Sequence, residues 1–141
     1  MKTFISRAAL AGLLLGASMM ASAATPAPAG SKVFIVSPQN GATVDKTFKV
    51  KFGVQGVALA PAGDDTKNTG HHHLLIDAKD PIAAGAVIPV DANHVHFGKA
   101  QTETELTLTP GKHTLQLELG DKSHMAFEPP VVSEKITVTV K

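Results

Sequence analysis

The sequence predicts an all-β protein, mainly because apolar and polar residues alternate along it. Apolar residues alternate with polar or small ones over residues 48–54, 115–119 and 136–140, a period of two that is typical of half-buried strands. Turn-forming residues separate these runs, as at Pro110-Gly111. No amphipathic helical stretch of useful length interrupts them. These observations predict an immunoglobulin-like antiparallel β-sandwich of about seven strands.

Six segments carry the strand pattern, and each is bounded by turn chemistry. The first is apolar on both faces, the third contains consecutive histidines, and the others alternate. A Pro-Gln-Asn-Gly sequence at residues 38–41 ends the first segment, Gly120-Asp121 ends the fifth, and Pro129-Pro130 precedes the last. In chain order the six predicted strands cover residues 33–36, 48–54, 72–76, 106–108, 115–119 and 136–140.

The first residues have the pattern of a secretory signal peptide. Lys2 and Arg7 flank the start of an apolar run over residues 8–21, which ends in small residues up to Ala23. The run is too short to span a bilayer comfortably. The predicted organisation is a signal peptide at 1–23, a flexible lead-in at 24–31 and a sandwich domain at 32–141. The expected location is periplasmic or secreted, with no membrane insertion after cleavage.

Charge and cysteine content exclude several classes of function. The 141 residues carry a net charge of +1, and cleavage of the predicted signal peptide leaves 11 basic and 12 acidic residues with no arginine. This balance argues against nucleic-acid binding, which needs an excess of Lys and Arg. The chain has no cysteine, which excludes disulfides, thiolate metal sites, cysteine nucleophiles and a lipidated N-terminal cysteine.

Seven histidines in so short a chain are its unusual feature, and five of them form two clusters at residues 71–73 and 94–96. Both clusters lie at the ends of long connections, over residues 58–70 and 78–93, where binding sites are commonly built. In a strand, residues i and i+2 project from the same face. Two imidazoles on one face match the ligand chemistry of zinc and copper. The predicted metal ligands are therefore His71, His73, His94 and His96.

The remaining histidines could be further metal ligands or could have a structural role. His72 projects from the opposite strand face, and His124 lies in the loop after Asp121; both are kept as possible substitute ligands. His113 follows the Pro110-Gly111 turn, and its expected role is a hydrogen bond back to that turn. Asp77 is the acidic residue best placed by sequence to orient a ligand histidine through its second nitrogen.

Several motifs together resemble a bacterial secreted family known as domain of unknown function 4399. They include Gly-His-His-His-Leu-Leu-Ile-Asp at residues 70–77, His-Val-His-Phe-Gly at residues 94–98 and Pro-Gly-Lys-His-Thr-Leu at residues 110–115. Further matching segments cover residues 34–38, 40–44, 68–69, 101–106 and 129–133. The resemblance covers nearly all of the predicted mature chain. It implies a small exported β domain and supplies no biochemical activity.

A looser likeness connects residues 94–98 with the His-Val-His strand of copper–zinc superoxide dismutases, which are also periplasmic β-sandwiches. Those enzymes use a disulfide and an arginine beside the copper. The predicted mature chain has neither cysteine nor arginine. The likeness therefore indicates convergence on a chelate carried by a strand.

The sequence as a whole predicts a periplasmic protein that holds copper or zinc through histidines, for storage, delivery or sensing. The implied partners are the ion and a periplasmic or membrane partner protein. One alternative is a structural or interaction module of the cell envelope, whose histidines pair with loops and carboxylates or sense pH. A second alternative is a dismutase-like or hydrolytic metalloenzyme with an open coordination position.

Overall fold

The computed structural model describes residues 23–141, so the predicted signal peptide lies outside it except for Ala23. Nine strands form between these residues, and no helix among them is long and apolar enough to cross a membrane. The strands are β1 (Lys32–Ser37), β2 (Thr43–Val44), β3 (Thr47–Gln55), β4 (Ala58–Leu59), β5 (Thr69–Ile76), β6 (His94–His96), β7 (Glu103–Thr107), β8 (Gly111–Gly120) and β9 (Ile136–Val140).

The strands form two sheets, which confirms the predicted all-β sandwich. The smaller sheet has the order β1-β3-β7, and the larger has the order β2-β9-β8-β5-β4, with β6 also paired to β5. Two pairings are parallel, β2 with β9 and β4 with β5, so the sheets are not purely antiparallel. Three strands lie outside the six predicted segments: β2 and β4 have two residues each and β6 has three, which is too few to show a period.

The main core lies between the two sheets and is built by alternating apolar residues. Leu74 of β5 and Leu117 of β8 are fully buried on the inner face of the larger sheet, and they face each other across the strand pair. Val50 of β3 is fully buried in the same cluster. Burial of a large apolar side chain contributes about 1.5–3 kcal/mol, so this core fixes which face of β5 points inward.

A second buried layer lies on the outer face of the larger sheet. The connection over residues 78–93, here called the strap, crosses this face, and Ile88 of the strap and Leu75 of β5 are each only 1% exposed. The strap is tied down where Glu118 Oε2 accepts a hydrogen bond of 2.9 Å from the Ile82 amide. The outer face of β5 is therefore a buried environment, although it lies outside the main core.

The lead-in predicted to be flexible is instead docked against the domain. Pro26 forms a parallel bridge with Glu128. The Ala27 amide donates to the Glu128 carbonyl at 2.8 Å, and the Glu128 amide donates to the Thr25 carbonyl at 2.9 Å. These backbone hydrogen bonds, which a Pro- and Ala-rich sequence does not reveal, order the segment.

His113 has the structural role expected from the sequence. Its Nε2 lies 2.8 Å from the carbonyl oxygen of Thr109, in the preceding turn, and its Nδ1 lies 2.7 Å from Asp77 Oδ2. Both neighbours are acceptors, so the arrangement favours the doubly protonated imidazolium. The hydrogen bond with Asp77 accordingly raises the pKa of His113. Asp77 also accepts the Thr114 amide at 2.8 Å, and it does not orient a histidine of the two clusters.

The Asp77–His113 pair predicts a pH-dependent contribution to stability. Because folding raises the pKa of His113, the contribution is fully present below the unfolded-state value of about 6.5 and is lost as the pH rises through the folded-state pKa. We expect Asp77→Asn to lower the free energy of unfolding by about 1 kcal/mol at pH 6 and by clearly less at pH 9. Urea unfolding at the two pH values measures this, and an equal loss at both would contradict the assignment.

Candidate metal centre

The strand β5 sends alternate histidines to opposite faces of the larger sheet. His72 points into the main core, where its ring lies 5.1 Å from that of Phe52. His71 and His73 point to the outer face and are 1% and 0% exposed. Their Nε2 atoms lie 3.1 Å apart. The period of two along β5 thus delivers one close imidazole pair to the layer under the strap.

The neighbouring strand β6 adds a third imidazole. His96 lies directly opposite His73 in the antiparallel register, and cross-strand partners project from the same face. The ring centroids of His96 and His73 are 5.1 Å apart. The pairing of β5 with β6 therefore unites the two histidine clusters, which are distant along the chain.

A tight turn after β8 adds the fourth imidazole. The His124 amide donates to the Asp121 carbonyl at 2.9 Å, and the Asp121 amide donates to the Met125 carbonyl at 2.9 Å. His124 adopts a positive φ of 63°, a left-handed conformation that few non-glycine residues adopt. The turn folds the chain back over the sheet, which brings the His124 ring to 4.6 Å from that of His96.

The four side chains converge on one point. Each offers a nitrogen, and these four nitrogens lie within 4.8 Å of one another. The centroids of the rings lie between 4.6 and 6.1 Å apart. Nitrogens bound to one tetrahedral zinc ion lie about 3.4 Å apart, since each Zn–N bond is about 2.0–2.1 Å. Small ring movements are enough to reach that spacing. The converging residues are His71, His73, His96 and His124.

Two glycines let the backbone approach two of these rings closely. A Cβ atom added at Gly120 would lie 2.8 Å from His73 Nε2 and 3.1 Å from its Cδ2, closer than van der Waals contact allows. Gly98 has the same relation to the ring of His96. A side chain at either position would clash with an imidazole ring, so both positions require glycine. The sequence alone did not indicate that these glycines make room for the rings.

Burial keeps the innermost imidazoles neutral. It lowers the pKa of His71 to about 4 and that of His73 to about 3, and repulsion from the neighbouring imidazoles adds to the effect. The pKa of His96 is lowered for the same reasons. A neutral imidazole has a free lone pair, which is the form that binds a metal ion.

Several ring nitrogens in the cluster are buried without a hydrogen-bond partner among residues 23–141. They are His73 Nδ1, His96 Nε2 and His124 Nδ1. A buried polar atom without a partner costs about 1–3 kcal/mol, and nearly all such atoms in proteins are satisfied. A cation bound between the rings would supply a partner for each of these nitrogens that faces it, whereas His73 turns its Nε2 toward His71.

The structure places two of the predicted ligands outside this group. His94 shares the outer face of β6, but it is not among the residues whose nitrogens lie within 4.8 Å of one another, and its Nδ1 lies 2.8 Å from Asp91 Oδ1. It is replaced by His124, which was expected only as a substitute. His72 faces the main core, so the sheet itself separates it from the other rings. The geometry therefore brings together His71, His73, His96 and His124, and it excludes His94 and His72 from that group.

We expect the buried imidazole of His72 to lower the free energy of unfolding. It is fully buried, and neither ring nitrogen has a partner in the described part of the chain. We expect His72→Leu to raise the free energy of unfolding by about 1 kcal/mol, because leucine fills similar volume without unpaired polar atoms. Urea unfolding without metal measures this. A loss of stability above 1 kcal/mol would show that the imidazole makes an essential interaction.

The fold and the cluster define a small two-sheet β domain with four converging imidazoles. The family described as "Domain of unknown function (DUF4399)" matches residues 50–141, and the chain belongs to this family. The solution structure of the PKD domain (329-428) from human KIAA0319 is similar, with 12% identity and a TM-score of 0.43 over 89% of this chain and 92% of that chain. No curated protein matches the chain, and the likeness to superoxide dismutases is not supported by any match.

Proposed function

We propose that this protein binds one copper or zinc ion through His71, His73, His96 and His124, for storage, delivery or sensing of the metal. The single observation that carries the proposal is the convergence of four imidazole nitrogens within 4.8 Å of one another. His71 and His73 are almost completely buried on the same face of the sheet, so they are not ordinary surface histidines. The cluster is otherwise costly, because it gathers four polar rings with few partners.

The chemistry of the cluster favours a borderline metal ion. Imidazole nitrogen suits Zn(II) and Cu(II), whereas Mg(II) and Ca(II) prefer oxygen ligands. The chain has no cysteine, so no thiolate competes for the ion. An oxidising compartment outside the cytosol, which we propose from the signal-peptide pattern of residues 1–23, fits an all-nitrogen site for Zn(II) or Cu(II).

Four protein ligands favour holding the ion over catalysis. Structural zinc sites have four protein ligands, whereas catalytic sites have three and leave one position for water or substrate. Here His124 supplies a fourth imidazole, and His71 and His73 are almost inaccessible to solvent. For a zinc ion, these features support storage, delivery or sensing over the hydrolytic alternative.

Titration with metal in competition with a chromophoric chelator tests the proposal. We expect the purified protein to take up one equivalent of Zn(II) or Cu(II) with submicromolar affinity at pH 7. Apparent free energies of about 10–16 kcal/mol are usual for structural zinc in zinc-finger peptides, and submicromolar affinity corresponds to more than about 8 kcal/mol. Binding weaker than millimolar for both ions would overturn the proposal and would favour the alternative of a structural or interaction module.

A further inference from the structure

The turn that carries His124 is organised by one buried carboxylate. Asp121 is only 5% exposed, and its Oδ1 accepts hydrogen bonds from the two amides that flank His124. The Ser123 amide donates at 2.8 Å and the Met125 amide at 3.0 Å. Side-chain oxygens of Asp commonly stabilise turns in this way. The carboxylate therefore fixes the backbone on both sides of His124.

A residue of the lead-in donates a hydrogen bond to the other oxygen of the Asp121 carboxylate. Thr25 Oγ1 donates to Asp121 Oδ2 at 2.6 Å, and the Thr25 carbonyl accepts from the Glu128 amide. The strap contacts the same turn, since the Ile88 amide donates to the His124 carbonyl at 2.7 Å. Thr25 and Ile88 thus leave Asp121 and His124 little freedom to move.

Asp121 is buried in the same turn as His124, so its charge lies beside the cluster. Four neutral imidazoles around a divalent ion leave two positive charges in a buried layer. A nearby carboxylate compensates part of that charge, and it acts strongly where water is excluded.

We propose that Asp121 is the positioning residue of the metal centre, holding His124 in its coordinating conformation. This inference rests on the proposed function. The conformation needs such support because His124 has a φ of 63°, which is unfavourable for a residue with a side chain. The imidazole is thereby preorganised before the ion arrives, and this lowers the entropic cost of binding.

A double-mutant cycle on zinc affinity tests the inference. We expect Asp121→Ala to weaken Zn(II) binding about ten- to a hundredfold, the usual effect of removing a group that orients a ligand. The same substitution in the His124→Ala background should change affinity less than threefold, because the positioned ligand is already absent. An equal loss in both backgrounds, or no loss in the first, would overturn the proposal.

Two milder variants and one control keep the test decisive if Asp121→Ala does not fold. Asp121→Asn keeps an acceptor for the flanking amides but removes the charge, and Thr25→Val removes only the donor to Oδ2. We expect each to weaken zinc binding by a smaller factor than Asp121→Ala, about two- to tenfold. The control is Asp65→Asn, which alters an exposed carboxylate lining the same cavity as Asp121 and paired with Lys122. It should leave the affinity unchanged.

A measurement without metal separates this inference from the proposed function. Amide hydrogen exchange at Ser123 and Met125 reports the two hydrogen bonds to Asp121 directly. We expect exchange at both amides to accelerate at least tenfold in Asp121→Ala and to be unchanged in Asp65→Asn. Unchanged exchange in Asp121→Ala would overturn the positioning role. Absence of zinc binding by the unaltered protein, with accelerated exchange in the variant, would overturn the metal site instead.

Discussion

Replacement of His96 by alanine is expected to weaken zinc or copper binding by roughly a hundred- to a thousandfold. Structural zinc in zinc-finger peptides is bound with about 10–16 kcal/mol of apparent free energy, and an equal share for each of four ligands would be about 2.5–4 kcal/mol. His96 is only partly buried and lies on the three-residue strand β6, so its truncation should leave the core intact. Competition titration with a chelator measures the loss.

His94 provides a matched control on the same strand. It is two residues from His96 and projects from the same face, yet it lies outside the group of four nitrogens within 4.8 Å of one another. We expect His94→Ala to change metal affinity less than threefold. A large loss for His94→Ala together with a small loss for His96→Ala would mean that the ion is held elsewhere on β6, and it would contradict the four-imidazole site.

Metal is expected to raise the melting temperature by about 10 °C. A ligand that binds only the folded state adds about 2.7 kcal/mol at a free concentration a hundred times its dissociation constant. For a domain of this size, each kcal/mol corresponds to roughly 3–5 °C. Differential scanning calorimetry with and without Zn(II) measures the shift. The ion should bind only the folded state, because its ligands come from β5, β6 and the turn after β8, which folding brings together.

The variants should fall into two groups according to how much of the metal-induced rise in melting temperature they keep. His96→Ala and His124→Ala should lose most of the metal-induced shift, whereas His72→Leu should keep all of it, since His72 lies on the core side of β5. The same melting temperature with and without saturating metal in the unaltered protein would contradict the site. Such a result would support a structural module in which the imidazoles form contacts within the chain.

The strands with the longest alternating patterns were predictable from sequence. β3, β8 and β9 alternate over five or more residues, and burial of one face enforces that period. β2 and β4 were not predicted, because a two-residue strand shows no period and forms by pairing with a distant partner. The docking of the lead-in was missed for the same reason, since it depends on backbone hydrogen bonds to residue 128.

The four-imidazole cluster was only partly predictable. Spacing of two residues correctly places His71 and His73 on one face. The ligand from the second cluster depends on the β5–β6 register, which sets His96 opposite His73 and His94 opposite Leu75. His124 depends on a turn whose left-handed residue is not evident from sequence. The Gly120-Asp121 pair signals that turn, but the pair does not reveal that Asp121 binds the amides on both sides of His124.

A crystal structure of the zinc-loaded protein, with the ion located by its anomalous scattering, tests the central claim most directly. The account predicts one peak between the four rings, about 2.0–2.1 Å from a nitrogen of each of His71, His73, His96 and His124. A peak bound by other residues, such as His94 with Asp91, would contradict it. So would an empty cluster in crystals grown with zinc in excess.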